Sequence, residues 1–141
     1  MFAAGEVTPL PTSAGSLGLA GGVRLHRRHI AIEGRLGGAF SFSAVANAGL
    51  FVARGGVSAG IALPIGSRLA VMPMLAYDVF VLDQPRGLDA TVVQRVTIEL
   101  PVAILIYRHV AIEPFVQAGL AWVNGGRDIA LVAGPRISIV L

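Results

Sequence analysis

Apolar and polar residues alternate along most of this chain. From His29 to Phe42 the even positions are Ile30, Ile32, Gly34, Leu36, Gly38, Phe40 and Phe42, and the odd ones are His29, Ala31, Glu33, Arg35, Gly37, Ala39 and Ser41. One greasy face and one small, polar or charged face at a period of two predict a β-strand whose faces meet different surroundings. The split recurs from His109 to Val123, where Val110, Ile112, Pro114, Val116, Ala118, Leu120 and Trp122 alternate with a face holding Glu113, Phe115, Gln117 and Gly119. From Thr91 to Tyr107 the apolar face runs from Val92 through Val96, Ile98, Leu100, Val102 and Ile104 to Ile106, broken by Gln94, and its opposite holds Arg95, Thr97 and Glu99. Ser16 to Leu25, Ala53 to Leu63, Arg68 to Val81 and Asp128 to Leu141 follow the same rule less cleanly, which makes seven strands.

The connections repeat as well. Arg28-His29-Ile30-Ala31-Ile32-Glu33, Arg68-Leu69-Ala70-Val71-Met72 and Arg108-His109-Val110-Ala111-Ile112-Glu113 place their arginines forty residues apart. A unit of that length holds two strands, one tight turn and one longer loop. Tight turns are predicted at His26-Arg27-Arg28, Pro64-Ile65-Gly66-Ser67 and Tyr107-Arg108, and longer loops at Ser43 to Ala48, Asp83 to Asp89 and Asn124 to Arg127. The result is an up-and-down antiparallel meander; a propeller of the same period would need four short strands per repeat.

Composition narrows the setting. The 141 residues are 55% hydrophobic and 13% charged, where a soluble domain has about 45–50% and about 25%. Eighteen glycines and eight prolines are spread through the chain and exclude a helical bundle. The uncharged stretch from Leu36 to Ala53 is near the minimum length for a spanning helix, but its glycines, serines and alternation argue for strand. With no cysteine there is neither a disulfide framework nor a thiolate site. The net charge of +3 comes without a basic stripe or stacking aromatics, so nucleic acid is not an expected partner. A mean hydropathy of +0.75 points to a membrane.

Size decides which face meets lipid. Most positions of the polar face are Gly, Ala or Ser, while those of the other are mainly Ile, Leu, Val or aromatic. Turned inward, as in a soluble lipocalin-like barrel, the large residues would overpack a small lumen. Turned outward they meet lipid, and Arg24, Arg35, Arg54, Arg95 and Arg136 share the interior with Glu33, Asp78, Glu99 and Glu113. Gly18, Gly22, Gly37, Gly56, Gly60, Gly119 and Gly134 then leave room for arginines to lie across the lumen. About 11 residues at about 3.3 Å rise, tilted by about 40–45°, cover the apolar height of roughly 25 Å. Phe40, Phe42 and Trp122 near the longer loops and Tyr107 at a tight turn are candidate interfacial aromatics.

These features resemble the small outer-membrane β-barrels of Gram-negative bacteria, of the OmpA-like kind. The resemblance covers Ser16 to Leu141 and rests on the alternation, the hairpin repeat and the closing strand Arg136-Ile137-Ser138-Ile139-Val140-Leu141. It implies short turns toward the periplasm, longer loops outward, membrane lipid as surroundings and contact with the barrel-insertion machinery through the last strand. The family ends that strand in an aromatic residue and this chain in Leu141. Because such barrels begin with an ascending strand, Phe2 to Thr8 is expected as a short first strand before the loop Pro9-Leu10-Pro11-Thr12, eight strands in all. No charged n-region and apolar h-region follow Met1, so residues 1–141 are read as a single mature barrel domain or an N-terminally incomplete one; a cytoplasmic protein is the alternative.

Functionally the expectation is a non-catalytic integral outer-membrane barrel, structural or interaction-bearing, with its lumen plugged by the charged residues. The alternatives are a narrow ion or small-solute pore and a membrane-embedded lipid-modifying enzyme. For the enzyme, His26, His29 and His109 cluster at tight turns, away along the strands from Ser41, Ser43 and Ser58. His26 and His29 lack a third ligand, so no metal site and no cofactor are expected. Loops of about four to eight residues are short for a large receptor surface, and no specific protein partner is indicated.

Overall fold

The computed structural model describes residues 2–9, 14–43, 48–82, 91–123 and 125–139. Among them are ten strands: β1 (Phe2–Pro9), β2 (Ala14–Arg27), β3 (Ile30–Ser43), β4 (Ala48–Ile61), β5 (Leu63–Pro64), β6 (Leu69–Val71), β7 (Met74–Leu82), β8 (Thr91–Tyr107), β9 (Val110–Val123) and β10 (Gly126–Ile139). No helix among the described residues is long and apolar enough to cross a membrane. The strands pair antiparallel in the cycle β1, β2, β3, β4, β7, β8, β9, β10 and back to β1. Every long strand has a neighbour on each side, which leaves no long edge open. The architecture is an eight-stranded up-and-down barrel: the alternation accounts for seven of its strands, and the eighth is the short first strand that the resemblance implies.

β1 is the short first strand. Its eight residues pair with β2 from Phe2↔Gly22 to Pro9↔Gly15, and with β10 from Phe2↔Ser138 to Val7↔Ala133. It therefore closes the ring.

The stretch from Arg68 to Val81, read from sequence as one strand, is two. β6 and β7 both run beside β8, separated at Met72 and Pro73. Pro73 has no N–H to give the ladder; its carbonyl accepts from the Ile61 amide at 3.1 Å, and the Met72 amide donates to the Pro101 carbonyl at 3.0 Å. β5 pairs with β6 and prolongs the β4 side of the same hairpin.

Two tight turns are shifted by a residue or two. Arg27 pairs with Ile30 and Tyr107 with Val110, so the turn residues are Arg28-His29 and Arg108-His109, with Arg28 in the left-handed region at φ 57°. Gly66, at φ 82°, turns the chain between β5 and β6. The longer loop expected at Asn124 to Arg127 is not found, because Gly126 and Arg127 already pair with Val123 and Trp122 at the start of β10 and Gly125 turns the chain at φ 82°. The other expected loops fall on residues 10–13, 44–47 and 83–90, outside the described residues, as do Asn124, Val140 and Leu141.

The period of two is realised as inside and outside. Along β3, Ala31, Glu33 and Arg35 are buried while Ile30, Ile32 and Leu36 are exposed. Along β8, Arg95, Thr97, Glu99 and Pro101 face in, while Ile98, Leu100 and Ile104 face out. At the turn end the lumen is filled by Met72 and Met74 packed with Ala31 and Ala62.

The polar-face glycines serve two different ends. Gly56 lies between Arg35 and Asp78 in register, and a Cβ there would sit 3.1 Å from the Asp78 carboxyl carbon and 2.9 Å from the Tyr77 carbonyl oxygen, so it makes room for an ion pair as well as for the neighbouring strand. Gly60 instead faces backbone, where a Cβ would approach the Met74 Cα to 2.6 Å and collide with the Pro73 carbonyl; Gly119 meets the β8 backbone at Thr97 in the same way. There the glycine admits a neighbouring strand rather than an arginine. Gly60→Val is expected to lower stability by about 1–3 kcal/mol through overpacking. Gly34→Ala, whose Cβ meets nothing within 4 Å on the outer wall, should be neutral or stabilising by about 0.4–1 kcal/mol. Urea midpoints of the two refolded variants in one detergent give the comparison.

Candidate functional site

The interior of the barrel is the chemically distinctive part of the molecule. Inward positions along β2, β3, β4, β7, β8, β9 and β10 bring Arg24, Glu33, Arg35, Arg54, Asp78, Arg95, Glu99, Glu113 and Arg136 into one network among the described residues. Some links follow from strand pairing alone. Arg24 stands directly opposite Glu33 and Arg95 opposite Asp78. Their contacts are 2.7 Å from Arg24 Nη2 to Glu33 Oε2 and 2.9 Å from Arg95 Nη2 to Asp78 Oδ2.

Other links cross the lumen, while Arg54 on β4 meets Asp78 diagonally on the adjacent strand β7. Arg24 on β2 donates from Nη1 and Nη2 to both carboxylate oxygens of Glu113 on β9, at 2.8 and 2.9 Å. This is the two-pronged geometry that a planar guanidinium favours. Arg35 on β3 reaches Glu99 on β8 at 2.7 Å and Asp78 on β7 at 3.2 Å. Arg54 adds a third cation to Asp78, at 3.0 Å. Arg136 on β10 joins Glu33, at 3.4 Å, and also Glu99.

Burial sets the energetic character of the site. Glu33, Asp78 and Glu99 are 0% exposed and Arg136 is 1% exposed. Charges taken this far from water cost several kcal/mol each unless paired and hydrogen-bonded. Here each carboxylate meets at least two donor side chains: three arginines each at Glu33 and Asp78, and arginine with a neutral donor at Glu99 and Glu113. Glu113 also accepts from the Ser138 hydroxyl at 2.6 Å, and Glu99 from the Gln117 amide.

Aromatic rings complete the packing. The Phe80 ring lies 4.7 Å from the Arg95 guanidinium carbon and 5.3 Å from that of Arg54, and Phe115 lies 4.3 Å from that of Arg136. A ring face attracts a cation while displacing water from it. Phe80, Phe115, Gln117 and Ser138 were visible in the sequence only as members of the polar face, with no role attached. The available signal was their parity, since a large aromatic at a lumen position of a small barrel must touch whatever else is inside.

The candidate interfacial aromatics occupy both ends. Tyr107 closes β8 beside the turn and is 72% exposed, and Trp122 is exposed on β9 one residue before its end. Phe40 and Phe42 lie on β3, and their side chains are outside the described residues. Tyr77, outward on β7, donates from its hydroxyl to the Gln94 side-chain oxygen at 3.2 Å, which pairs the polar interruption of the β8 apolar face. His29 and His109 are exposed in the turns, whereas Ser58 is buried in the lumen. Among the described residues no group of three or more His, Asp or Glu side chains could hold a metal ion.

No protein-family model matches the chain, and no curated protein matches it in sequence. Its fold does have counterparts among solved structures. Neisserial surface protein A superposes with a TM-score of 0.60 at 14% identity, over 98% of this chain and 94% of that one. The Yersinia pestis outer membrane protein Ail gives a TM-score of 0.48 at 7% identity, over 96% and 95% of the two chains. The chain has the fold of a small eight-stranded outer-membrane β-barrel, with an apolar outer wall and an ionic lumen.

Proposed function

We propose that this chain is a non-catalytic integral protein of the outer membrane, of the OmpA-like kind, with a structural or interaction role and a lumen plugged by its own ion pairs. The observation that carries the reading is the cross-lumen geometry: Arg24 to Glu113, Arg35 to Glu99 and Arg136 to Glu33 each join strands on different sides of the ring. Such contacts occupy the axis along which a solute would pass. Because removing either partner would strand a buried charge, the plug is also a specification of register and closure. Proposed partners are membrane lipid around the apolar wall and the barrel-insertion machinery during assembly; no cofactor is invoked.

The test is conductance of the refolded protein in a planar bilayer. The expected result is no steady current above the lipid background across roughly 0.1–1 M salt, over which the screening length falls about threefold. Long-lived open steps scaling with salt would sink the plugged reading and favour the narrow pore. Heat-modifiable migration on a gel, seen only after refolding into detergent or vesicles, is the companion control for a folded membrane barrel.

A further inference from the structure

We infer that the turn end of the barrel is a docking surface for the phosphate groups of anionic phospholipids, built from Arg27, Arg28, Arg68 and Arg108. The inference rests on the membrane-barrel reading proposed above. All four arginines are exposed, and none of them takes part in an ion pair among the described residues. The segments 26–29, 62–68 and 107–109 that make this end hold these four arginines and three histidines, with no aspartate or glutamate. At the opposite end of the described residues, Arg127 is followed directly by Asp128 at the start of β10. Among the described residues this rim therefore carries four arginines and no aspartate or glutamate.

Position matters as much as sign. Immediately next to these arginines the outer wall is apolar: Leu25 is 70% exposed, Ile30 60% and Ile106 58%. Tyr107, adjacent to Arg108, has the amphipathic shape suited to the boundary between hydrocarbon and headgroups. The arginines thus stand at the height where lipid phosphates lie once the wall is immersed in hydrocarbon. The chain also contains no lysine, so every cation at the rim is a planar guanidinium able to grip a phosphate with two parallel hydrogen bonds. Water-filled surroundings would make four exposed arginines on one rim merely solvated; a phosphate layer makes them a selective contact.

The test compares spin-labelled phosphatidylglycerol with spin-labelled phosphatidylcholine in the lipid shell of the protein, refolded in phosphatidylcholine vesicles at low salt. A preference of about fivefold or more for the anionic lipid is expected. It should fall toward unity in 0.5 M salt, where the screening length is only about 4 Å, and in the variant carrying Arg27→Gln, Arg28→Gln, Arg68→Gln and Arg108→Gln. Arg127→Gln, at the opposite end, should leave it unchanged. Equal association of both lipids with the wild-type protein would overturn the inference, and so would a preference that survives in the fourfold variant. The salt titration of the wild type decides the matter even if that variant folds poorly. A wild-type chain that inserts into phosphatidylcholine and shows no preference loses only this inference, whereas one that never becomes heat-modifiable in any vesicle overturns the membrane reading along with it.

Discussion

Glu33→Ala is expected to destabilise the folded barrel by about 3–5 kcal/mol, the range seen when one partner of a buried ion pair is removed. Glu33 meets Arg24 at 2.7 Å, Arg136 at 3.4 Å and Arg35 at 3.6 Å. Truncation therefore leaves three guanidiniums facing a hole, and the lost attraction is compounded by their mutual repulsion. Urea unfolding of wild type and variant in the same micelle gives the difference. Glu33→Gln separates the two causes, because it keeps the volume and two hydrogen-bonding atoms but removes the charge. If the cost were mainly the cavity, the glutamine variant would be near wild type; with electrostatics dominant it retains most of the loss. An effect below about 1 kcal/mol for both, the level of an exposed ion pair, would mean that water reaches the network freely.

The double variant Glu33→Ala with Arg24→Ala adds a second discrimination. Arg24 and Glu33 share a contact, so their effects should fall short of additive, with a coupling of about 0.5–3 kcal/mol. Arg24 also holds Glu113 with two hydrogen bonds, so the double variant does not return to wild-type stability. A coupling near zero would place the two side chains apart in solution despite their opposed positions on β2 and β3.

What was legible beforehand and what was not has a physical pattern. Alternation exposed the strands and assigned each charged residue its face, because the two sides of this wall meet environments of opposite polarity and the pleat repeats every two residues. Contacts between adjacent strands were within reach only to the accuracy of the turn: Arg24 and Glu33 are symmetric about Arg28-His29, whereas a turn centred on Arg27 would have set Arg24 opposite Ile30. The contacts across the lumen were not. Which cation meets Glu113 or Glu99, and that Arg35 reaches Asp78, depends on how far the closed sheet is sheared, and alternation carries no information about shear. Proline gave a similarly divided signal. Pro114 and Pro135 face each other within a continuous β9–β10 ladder, and Pro101 sits inside β8, while Pro73 splits the strand that contains it. The difference lies in the partner available to each, which is a tertiary property. At Gly60 and Gly119 the same limitation appears: the sequence marks a small residue, and only the packed wall reveals that a backbone rather than an arginine needs the space.

Ile98→Arg separates the membrane barrel from its soluble rival by the sign of an ordinary surface rule. Ile98 is 67% exposed at the middle of β8, and Leu36 is 74% exposed at the middle of β3. On a water-facing wall an arginine at either site would change stability by less than about 0.5 kcal/mol, as surface substitutions generally do, and would improve solubility. On a lipid-facing wall it costs about 2–4 kcal/mol at mid-bilayer and falls to about 0–1 near the interfaces. The expected result in phosphatidylcholine vesicles is the large cost at Ile98 and Leu36. A much smaller cost is expected at Ile106, which lies beside the turn and is also exposed, 58%. That gradient with depth is the informative feature, because a merely misfolded variant would not grade with height along the wall. In a detergent-free buffer the wild-type chain should give no folded monomer for comparison, since the outward rows of Ile, Leu and Val have no other surface to cover them. Equal stabilities of all three arginine variants and wild type, or a soluble monomer, would instead place water on the outer wall and return the ionic lumen to the status of a core.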